Sequence, residues 1–274
     1  MSGSRLGLAH ESPNLTIHPT SVKHPRSQIR TDIALRKLGD MTKIPKIIHQ
    51  SWIDKNVPRN AYPTHWQESW TQLHPDWEYL FWTDQDNRNL VRDHYPRYLK
   101  QYDSLDLGIK RADFCRFLYM HKYGGLYVDL DFISIRNQSP MLENADLLVG
   151  SLSKENPHYR IPNAYLASRP DLPFWLQLAD DAMNAPPIEQ SVETFAGPFR
   201  LQWGLEKYRP AKLRVLPQEL VYPFDWIHFT HWNDGIHFRP KEADLAKKLR
   251  DLTIDEIRAI LPESFAVTTW SHNW

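Results

Sequence analysis

The chain has 274 residues, 41% of them hydrophobic, which is enough to bury one sizeable core, and we predict a single α/β domain. Lysine plus arginine and aspartate plus glutamate both total 33. This balance argues against a nucleic-acid partner held by bulk electrostatics, because such domains are usually clearly basic. Cys115 is the only cysteine, so it cannot form an internal disulfide, and its apolar neighbours predict a buried thiol without a catalytic role.

Residues 1–43 are predicted to form an N-terminal extension, poorly ordered or loosely docked, because they carry scattered prolines and basic residues and no long apolar run. The folded domain is predicted over residues 44–274. No stretch of 18 apolar residues occurs and no signal-peptide pattern opens the chain, so we expect a cytoplasmic protein without a membrane span.

A regular alternation of elements begins at Ile44. The predicted order is strand, helix, strand, helix, over Ile44–Trp52, Trp66–Leu73, Glu78–Trp82 and Asp84–Tyr95, with Asp84 as the N-cap of the second helix. Strands and helices that alternate at this spacing predict a mostly parallel sheet covered on both faces.

A longer helix is predicted over Leu105–Tyr123, closed by Gly124-Gly125, which would turn the chain directly into a strand that carries Asp129 and Asp131. Side chains at i and i+2 of a strand point to the same side. Two such carboxylates repel each other, and a hard cation such as Mg²⁺ or Mn²⁺ relieves that repulsion. Asp-x-Asp alone is a weak signal, since it is more often a solvated pair at a strand end.

Four further groups of polar residues do not by themselves indicate a functional site. Asp113 and Arg116 lie one helical turn apart, which is the spacing of a common surface ion pair. Asp180-Asp181 is expected on the solvated face of a helix over Pro173–Met183, and Lys241–Arg258 is expected to form a charged surface helix. The spacing of the histidines at 228, 231 and 237 matches no common zinc pattern.

The segment from Lys110 to Asp131, preceded by Ile47-Ile-His-Gln-Ser-Trp52, resembles the family-32 glycosyltransferases. The resemblance is close over Ile44–Asn137 and continues loosely through the motifs Ile161–Ser168, Ala196-Gly197-Pro198 and Trp270–Trp274. It implies a GT-A fold with a Rossmann-like, mostly parallel sheet flanked by helices. It also implies a nucleotide-sugar donor, Mn²⁺ (or Mg²⁺) as cofactor and retention of the anomeric configuration.

The resemblance also implies a role for each site residue. Trp52 would border the nucleotide base, Asp113 and Arg116 would hold ribose and phosphate, and Asp129 and Asp131 would bind ribose and metal. The sugar and acceptor side would be lined by Asn163 and Gly197.

A late motif of the family returns to the metal and diphosphate site, and here it implies His272 as the third metal ligand, next to Trp274. Thr268 or Thr269 replaces a histidine that is usual in this motif, and Asn273 replaces a serine. The third ligand therefore stays open.

By this resemblance the expected activity is transfer of a hexose, with mannose from GDP-mannose as the first choice and a UDP-hexose as the alternative. The acceptor would be a sugar, a lipid head group or a small molecule, and the resemblance implies Golgi association. An inactive relative that only binds a nucleotide sugar is the non-enzymatic alternative. A dehalogenase-like phosphatase would carry Thr or Val two residues after the second aspartate, where this chain has Ile133.

Overall fold

The computed structural model describes residues 43–153, 160–224 and 249–270. The predicted extension over 1–43 lies, but for its last residue, outside the described residues, so the domain boundary at residue 44 stays a prediction. The described strands, in chain order, are β1 (Ile47–Ser51), β2 (Glu78–Trp82), β3 (Gly125–Val128), β4 (Phe132–Ser134), β5 (Leu147–Gly150), β6 (Tyr165–Ser168), β7 (Leu213–Leu216) and β8 (Ala266–Thr268).

The α-helices of the described residues are α1 (Thr64–Leu73), α2 (Asp84–His94), α3 (Leu99–Ser104), α4 (Gly108–Lys122), α5 (Pro173–Met183), α6 (Val192–Phe195), α7 (Pro198–Tyr208), α8 (Gln218–Val221) and α9 (Ile254–Ile260). Short 3₁₀ turns lie at Pro96–Tyr98, Ser139–Met141, Pro187–Glu189 and Leu249–Asp251. None of these helices combines the length and the hydrophobicity that a membrane span needs.

Six of the described strands form the central sheet in the order β2-β1-β3-β6-β5-β7. Among these six, only β6 runs antiparallel to its neighbours; the other pairs are parallel. Helices cover the sheet, and β4 and β8 form a separate antiparallel pair. The predicted α/β fold, with a mostly parallel sheet flanked by helices, is confirmed.

Large aromatic side chains fill the core between the sheet and its helices. Trp82, Phe117 and Trp175 are fully or almost fully buried on the side of α4 and α5, and Trp70 of α1 is fully buried on the other. The indole N–H of Trp70 donates to the carbonyl of Phe132, at 3.0 Å. This contact fixes β4, and with it the end of the turn that follows β3.

Several predicted elements differ from the structure at their N-terminal ends. The first strand begins at Ile47 rather than Ile44, and the first helix begins at Thr64 rather than Trp66. The second helix has Thr83, not Asp84, as its N-cap, because the Thr83 hydroxyl and the Asp86 carboxylate form a reciprocal capping box. The helix predicted from Leu105 begins only at Gly108, since the chain leaves α3 in an extended conformation at Leu105.

The predicted helix over Lys241–Arg258 is also wrong where the structure describes it. Residues 241–248 lie outside the described residues. The remainder is a 3₁₀ turn followed by a separate helix, α9, whose N-cap Thr253 forms a capping box with Glu256.

Candidate active site

The paired glycines form the turn that delivers β3 to the site. Gly124 and Gly125 have φ angles of 62° and 95°, in the region that favours glycine. The ring of His49, on β1, lies 2.8 Å from the carbonyl of Gly124 through Nε2. The indole N–H of Trp82 can only donate, so Nδ1 of His49, 3.1 Å away, is the acceptor and Nε2 carries the proton that is donated to Gly124. The predicted cap and turn at these glycines are confirmed.

Asp129 and Asp131 lie in a tight turn rather than on a strand. β3 ends at Val128, β4 begins at Phe132, and the Phe132 amide donates to the carbonyl of Asp129 at 3.2 Å. The expectation of a continuous strand through both carboxylates is therefore wrong, because the turn interrupts the two-residue alternation. The pair does lie at the carboxyl end of a strand, the edge at which open α/β sheets bind ligands.

A single guanidinium connects two of the predicted site residues. Nη2 of Arg116 lies 3.0 Å from Oδ1 of Asp113 and 3.0 Å from Oδ1 of Asp129. The Tyr127 hydroxyl donates to the same Oδ1 of Asp129 at 2.7 Å, and the guanidinium carbon lies 4.7 Å from the centre of the Tyr127 ring. The predicted proximity of Asp113 and Arg116 is thus part of a larger charged network that extends to β3.

Burial makes this network electrostatically strained. It raises the pKa of Asp113 to about 7, against the opposing effect of Arg116, and the nearby Asp129 raises it further. Burial alone would lower the pKa of Arg116, but the carboxylates of Asp113 and Asp129 outweigh it and raise that pKa. Arg116 therefore stays charged, and one cation serves two carboxylates.

The carboxylate of Asp129 keeps one oxygen available for a ligand. Oδ1 binds Arg116 and Tyr127, whereas Oδ2 accepts no hydrogen bond from the described residues. Asp131 is half-buried on the other side of Leu130. Oxygen donors of this kind suit Mg²⁺ or Mn²⁺. Within the described residues no three His, Cys, Asp or Glu side chains are grouped as metal ligands, so these two carboxylates need a further donor.

Asn163 contacts the buried end of the network, whereas Gly197 is connected to it only through its neighbour Glu193. Nη1 of Arg116 donates to the Asn163 carbonyl at 3.2 Å, and the Asn163 side chain favours the ionised form of Asp113. Gly197, the N-cap of α7, packs so closely on α6 that a β-carbon there would lie 2.7 Å from Cα of Glu193. The Glu193 carboxylate in turn raises the pKa of Asp113.

Trp52 lies at the same edge of the sheet as Asp129, because it follows the last residue of β1, which is parallel to β3. Its amide donates to the Trp82 carbonyl at 3.0 Å, and its half-buried ring meets the edge of Tyr62 at 5.1 Å between centroids. The structure does not bring the Trp52 ring into the Asp113–Arg116–Asp129 network.

The C-terminal end of the described chain contacts the backbone of Asp131. The Thr269 amide, just beyond β8, donates to the carbonyl of Asp131 at 3.0 Å. The next residue, Trp270, stacks on Tyr222 with 5.5 Å between ring centroids. The predicted residues His272 and Trp274 lie outside the described residues.

Tyr222 is a site residue that the sequence did not reveal. Burial raises its pKa well above the usual range, and the charges of Asp129 and Asp131 raise it further. Its hydroxyl is buried and has no hydrogen-bond partner in the described part of the chain. No spacing links Tyr222 to the aspartates, so only the tertiary fold identifies it.

The other polar groups predicted from sequence lie away from this network. Asp180 and Asp181 pair with Arg97 and Lys207 on the surface of α5, at 3.1 and 3.0 Å. Cys115 is a buried free thiol, as predicted. The histidines at 228, 231 and 237 lie outside the described residues.

Comparison with known proteins gives matches in the region that contains this site. Residues 62–148 match the family described as glycosyltransferase sugar-binding region containing DXD motif. Inositol phosphoceramide mannosyltransferase 3 of Schizosaccharomyces pombe is 45% identical over 99 residues, which are 36% of this chain and 27% of that protein. Inositol phosphoceramide mannosyltransferase 1 of the same organism is 30% identical over 203 residues, 70% of this chain and 62% of that protein.

The chain therefore spans less than two thirds of the length of either relative. Among solved structures, the PaToxG glycosyltransferase aligns with 61% of this chain and 70% of its own, at 20% identity and a TM-score of 0.45.

Proposed function

Since the chain carries the DXD-containing sugar-binding region of glycosyltransferases, which confirms its resemblance to family 32, we propose that it is a retaining, metal-dependent hexosyltransferase. The hexose, mannose as first choice, would pass from a nucleotide sugar to an acceptor. The observation that carries this proposal is the Arg116 guanidinium held between Asp113 and Asp129 at the carboxyl end of β3. A nucleoside diphosphate leaving group is anionic, and a site that combines a fixed cation with ligands for a second cation suits it.

The proposed roles follow from where each side chain lies. Arg116 stays charged and buried, so it would neutralise phosphate charge without reorganising. Asp113, whose pKa is raised to about 7, would accept a hydrogen bond from a ribose hydroxyl and hold Arg116 in place. Trp52, at the end of β1, would border the base, and Asn163 and Gly197 would line the sugar and acceptor side.

Asp129 and Asp131 would hold Mn²⁺ (or Mg²⁺), with His272 as the proposed third ligand and Trp274 beside the diphosphate. When bound, the ion supplies positive charge that stabilises the departing nucleoside diphosphate. The support from this chain is the available Oδ2 of Asp129 and the hydrogen bond from Thr269 to Asp131, which leads the chain to within three residues of His272.

The choice of GDP-mannose as donor rests on the relatives, which are named as mannosyltransferases. The relatives are named for inositol phosphoceramide, and among the predicted acceptors this favours a lipid head group over a free sugar or small molecule. A UDP-hexose donor is the alternative. We retain a cytoplasmic location as a proposal, with Golgi association as the alternative that the resemblance implies.

A thermal-shift panel of nucleotide sugars, with and without Mn²⁺, tests the function and names the donor. A ligand that binds only the native state raises its melting temperature by mass action. We expect a shift with Mn²⁺ plus GDP-mannose and a smaller one with either component alone. A shift with a UDP-hexose instead would select the alternative donor, and no shift with any donor would overturn the proposal.

Asp131→Asn tests whether the protein turns over its donor, and not only binds it as an inactive relative would. The variant removes one carboxylate from the pair, and we expect a loss of roughly 100-fold or more in Mn²⁺-dependent donor hydrolysis or transfer, with an unchanged melting temperature. Asp180→Asn, at a surface ion pair on α5, is the matched control and should retain full activity. Full activity of Asp131→Asn would refute the site assignment. Absence of turnover in the wild type despite donor binding would indicate the inactive relative.

A further inference from the structure

The backbone pairing between β1 and β3 is short, and two side chains of β1 extend it. The ladder consists of Ile48 opposite Leu126 and His49 opposite Tyr127. On the N-terminal side of the two paired residues of β3, the His49 side chain donates to the carbonyl of Gly124. On their C-terminal side, Nε2 of Gln50 donates to the carbonyl of Asp129 at 3.2 Å. Both side chains are fully buried. Consecutive residues of β1 therefore hold β3 at both of its ends.

Gln50 is itself oriented by a chain of hydrogen bonds that begins on another element. Nε2 of Gln67, on α1, donates to the Tyr79 hydroxyl at 2.8 Å, and that hydroxyl donates to Oε1 of Gln50 at 2.6 Å. Each donor in this chain meets an acceptor, which fixes the orientation of the Gln50 amide with its nitrogen toward Asp129. Aligned hydrogen bonds of this kind strengthen one another.

The carbonyl that accepts this hydrogen bond from Gln50 is the backbone carbonyl of Asp129, the first aspartate of the site. The Asp129 carbonyl also accepts from the Phe132 amide at 3.2 Å, and the Asp129 amide donates to the Ala164 carbonyl at 3.0 Å. With these three contacts the peptide planes on either side of the Asp129 α-carbon are held. The direction of its side chain is then set before any ligand arrives.

We propose that Gln50 is a positioning residue, oriented by Tyr79 and Gln67, which sets the backbone of the Asp129–Asp131 turn and so the geometry in which the two carboxylates take a divalent cation. Glutamine suits this role because it accepts from Tyr79 and donates to Asp129 through one rigid amide. The inference rests on the proposed function only in that it assumes metal binding at this pair.

Two variants interrupt the chain of hydrogen bonds without touching a carboxylate. Gln50→Met keeps the length and volume of the side chain but removes both the donor and the acceptor. Tyr79→Phe removes only the hydroxyl that orients Gln50. Tyr165→Phe is the matched control, because it removes a hydroxyl bonded to Gln138 at 2.8 Å from β6, next to β3, and does not disturb the turn.

The first measurement is the Mn²⁺ dissociation constant of the full chain, from the electron paramagnetic resonance signal of free Mn²⁺, which needs no nucleotide. Loss of a residue that orients a metal ligand typically weakens metal binding by roughly 10-fold, which we expect for Gln50→Met, with a smaller loss for Tyr79→Phe. The control should stay within about twofold of the wild type. A merely structural role would lower the melting temperature and leave the affinity of the folded protein unchanged, which would overturn the inference.

The second measurement is backbone hydrogen exchange over residues 129–132, which tests the geometry independently of metal. We expect faster exchange in Gln50→Met and in Tyr79→Phe than in Tyr165→Phe. If the wild type binds no Mn²⁺, the proposed metal-dependent function fails, and exchange rates still decide whether Gln50 holds the turn. Unchanged exchange in both variants would overturn the inference even if the wild type binds Mn²⁺ tightly.

Discussion

Arg116 determines the electrostatics of the site at the scale of single residues. It is buried, it stays charged, and it lies 3.0 Å from each of two carboxylates that compete for it. Removing one partner of such a buried network leaves an uncompensated charge and is usually strongly destabilising. The network therefore holds its geometry without a ligand, which is the condition for preorganised binding of an anionic group.

The raised pKa of Asp113 predicts a specific dependence of stability on pH. An unfolded aspartate titrates near about 4, whereas the folded Asp113 titrates at about 7. Between these values the folded state binds more protons than the unfolded state, so the free energy of unfolding falls as pH rises from about 4 to about 7.

Asp113→Asn should remove this contribution. We expect the fall in the free energy of unfolding between about pH 4 and about pH 7 to be smaller in the variant by on the order of a few kcal/mol. Urea unfolding at several pH values measures it. Asp255→Asn, whose side chain is 88% exposed, should keep the wild-type slope. Identical slopes for the wild type and Asp113→Asn would contradict the assignment of a raised pKa.

Tyr222→Phe should stabilise the protein. The hydroxyl is buried without a hydrogen-bond partner among the described residues, and removing such a group relieves a desolvation cost, so we expect a gain of about 1 kcal/mol. The ring remains and still stacks on Trp270. Tyr165→Phe, which loses a satisfied hydroxyl, should change the free energy of unfolding in the opposite direction. A loss of stability in Tyr222→Phe would show that its hydroxyl is satisfied.

At this scale the sequence predicted the charged residues better than their partners. Asp113, Arg116, Asp129 and Asn163, which the resemblance singled out, contact one another in the structure, whereas Tyr127 and Tyr222 were identified only by the structure. A carboxylate near a strand end is visible as a pattern. Which buried hydroxyl faces it depends on packing between distant segments, and no local periodicity encodes that.

At the scale of elements, the turn before β3 places strict demands on its two glycines. A β-carbon on Gly124 would lie 2.6 Å from the Ser168 carbonyl, and one on Gly125 would lie 2.6 Å from the Ile47 carbonyl, both with positive φ. Alanine at either position meets strain and a backbone clash together, and we expect a loss of about 3 kcal/mol or more in the free energy of unfolding.

Gly108→Ala is the matched control for this prediction. It begins α4, has an ordinary φ, and the nearest atom to an added β-carbon is the flexible Arg111 side chain at 3.8 Å. We expect a change within about 1 kcal/mol, because alanine favours helices over glycine. Chemical denaturation of the three variants decides, and similar losses at Gly108 and Gly124 would contradict the role of the turn.

Element boundaries were predictable where prolines or polar residues flank the element in the sequence. The second strand, Glu78–Trp82, and the helix Pro173–Met183 have the predicted bounds, since prolines and polar residues flank them. The turn between β3 and β4 was missed because its residues continue a strand-like alternation of apolar and acidic side chains. The antiparallel direction of β6 was also not predicted, because direction depends on which strands become neighbours.

At the scale of the whole molecule, the site is assembled from segments far apart in the chain. β8 pairs with β4 and brings Thr269 against Asp131, next to residues 271–274, which carry the proposed ligand His272. Deletion of residues 271–274 leaves β8 and the Trp270–Tyr222 stack in place. We expect an unchanged melting temperature and Mn²⁺ binding weakened by roughly 10-fold or more.

Titration with Mn²⁺ and a thermal melt test this, with His272→Ala as the single-residue counterpart. The two variants should agree if His272 is the ligand. Wild-type Mn²⁺ affinity in the deletion would show that the third donor lies elsewhere.

The pairing of β4 with β8 also has a kinetic consequence. Phe132 is paired with Thr268, so the turn that holds both aspartates is completed by one of the longest loop closures in the described chain. Contacts of high sequence separation form late, because their closure entropy must be offset by structure that already exists. During refolding, helical circular dichroism should therefore recover before Mn²⁺ affinity does. During synthesis, a ribosome-bound chain that has emerged only as far as β7 would carry both aspartates and still lack a finished site.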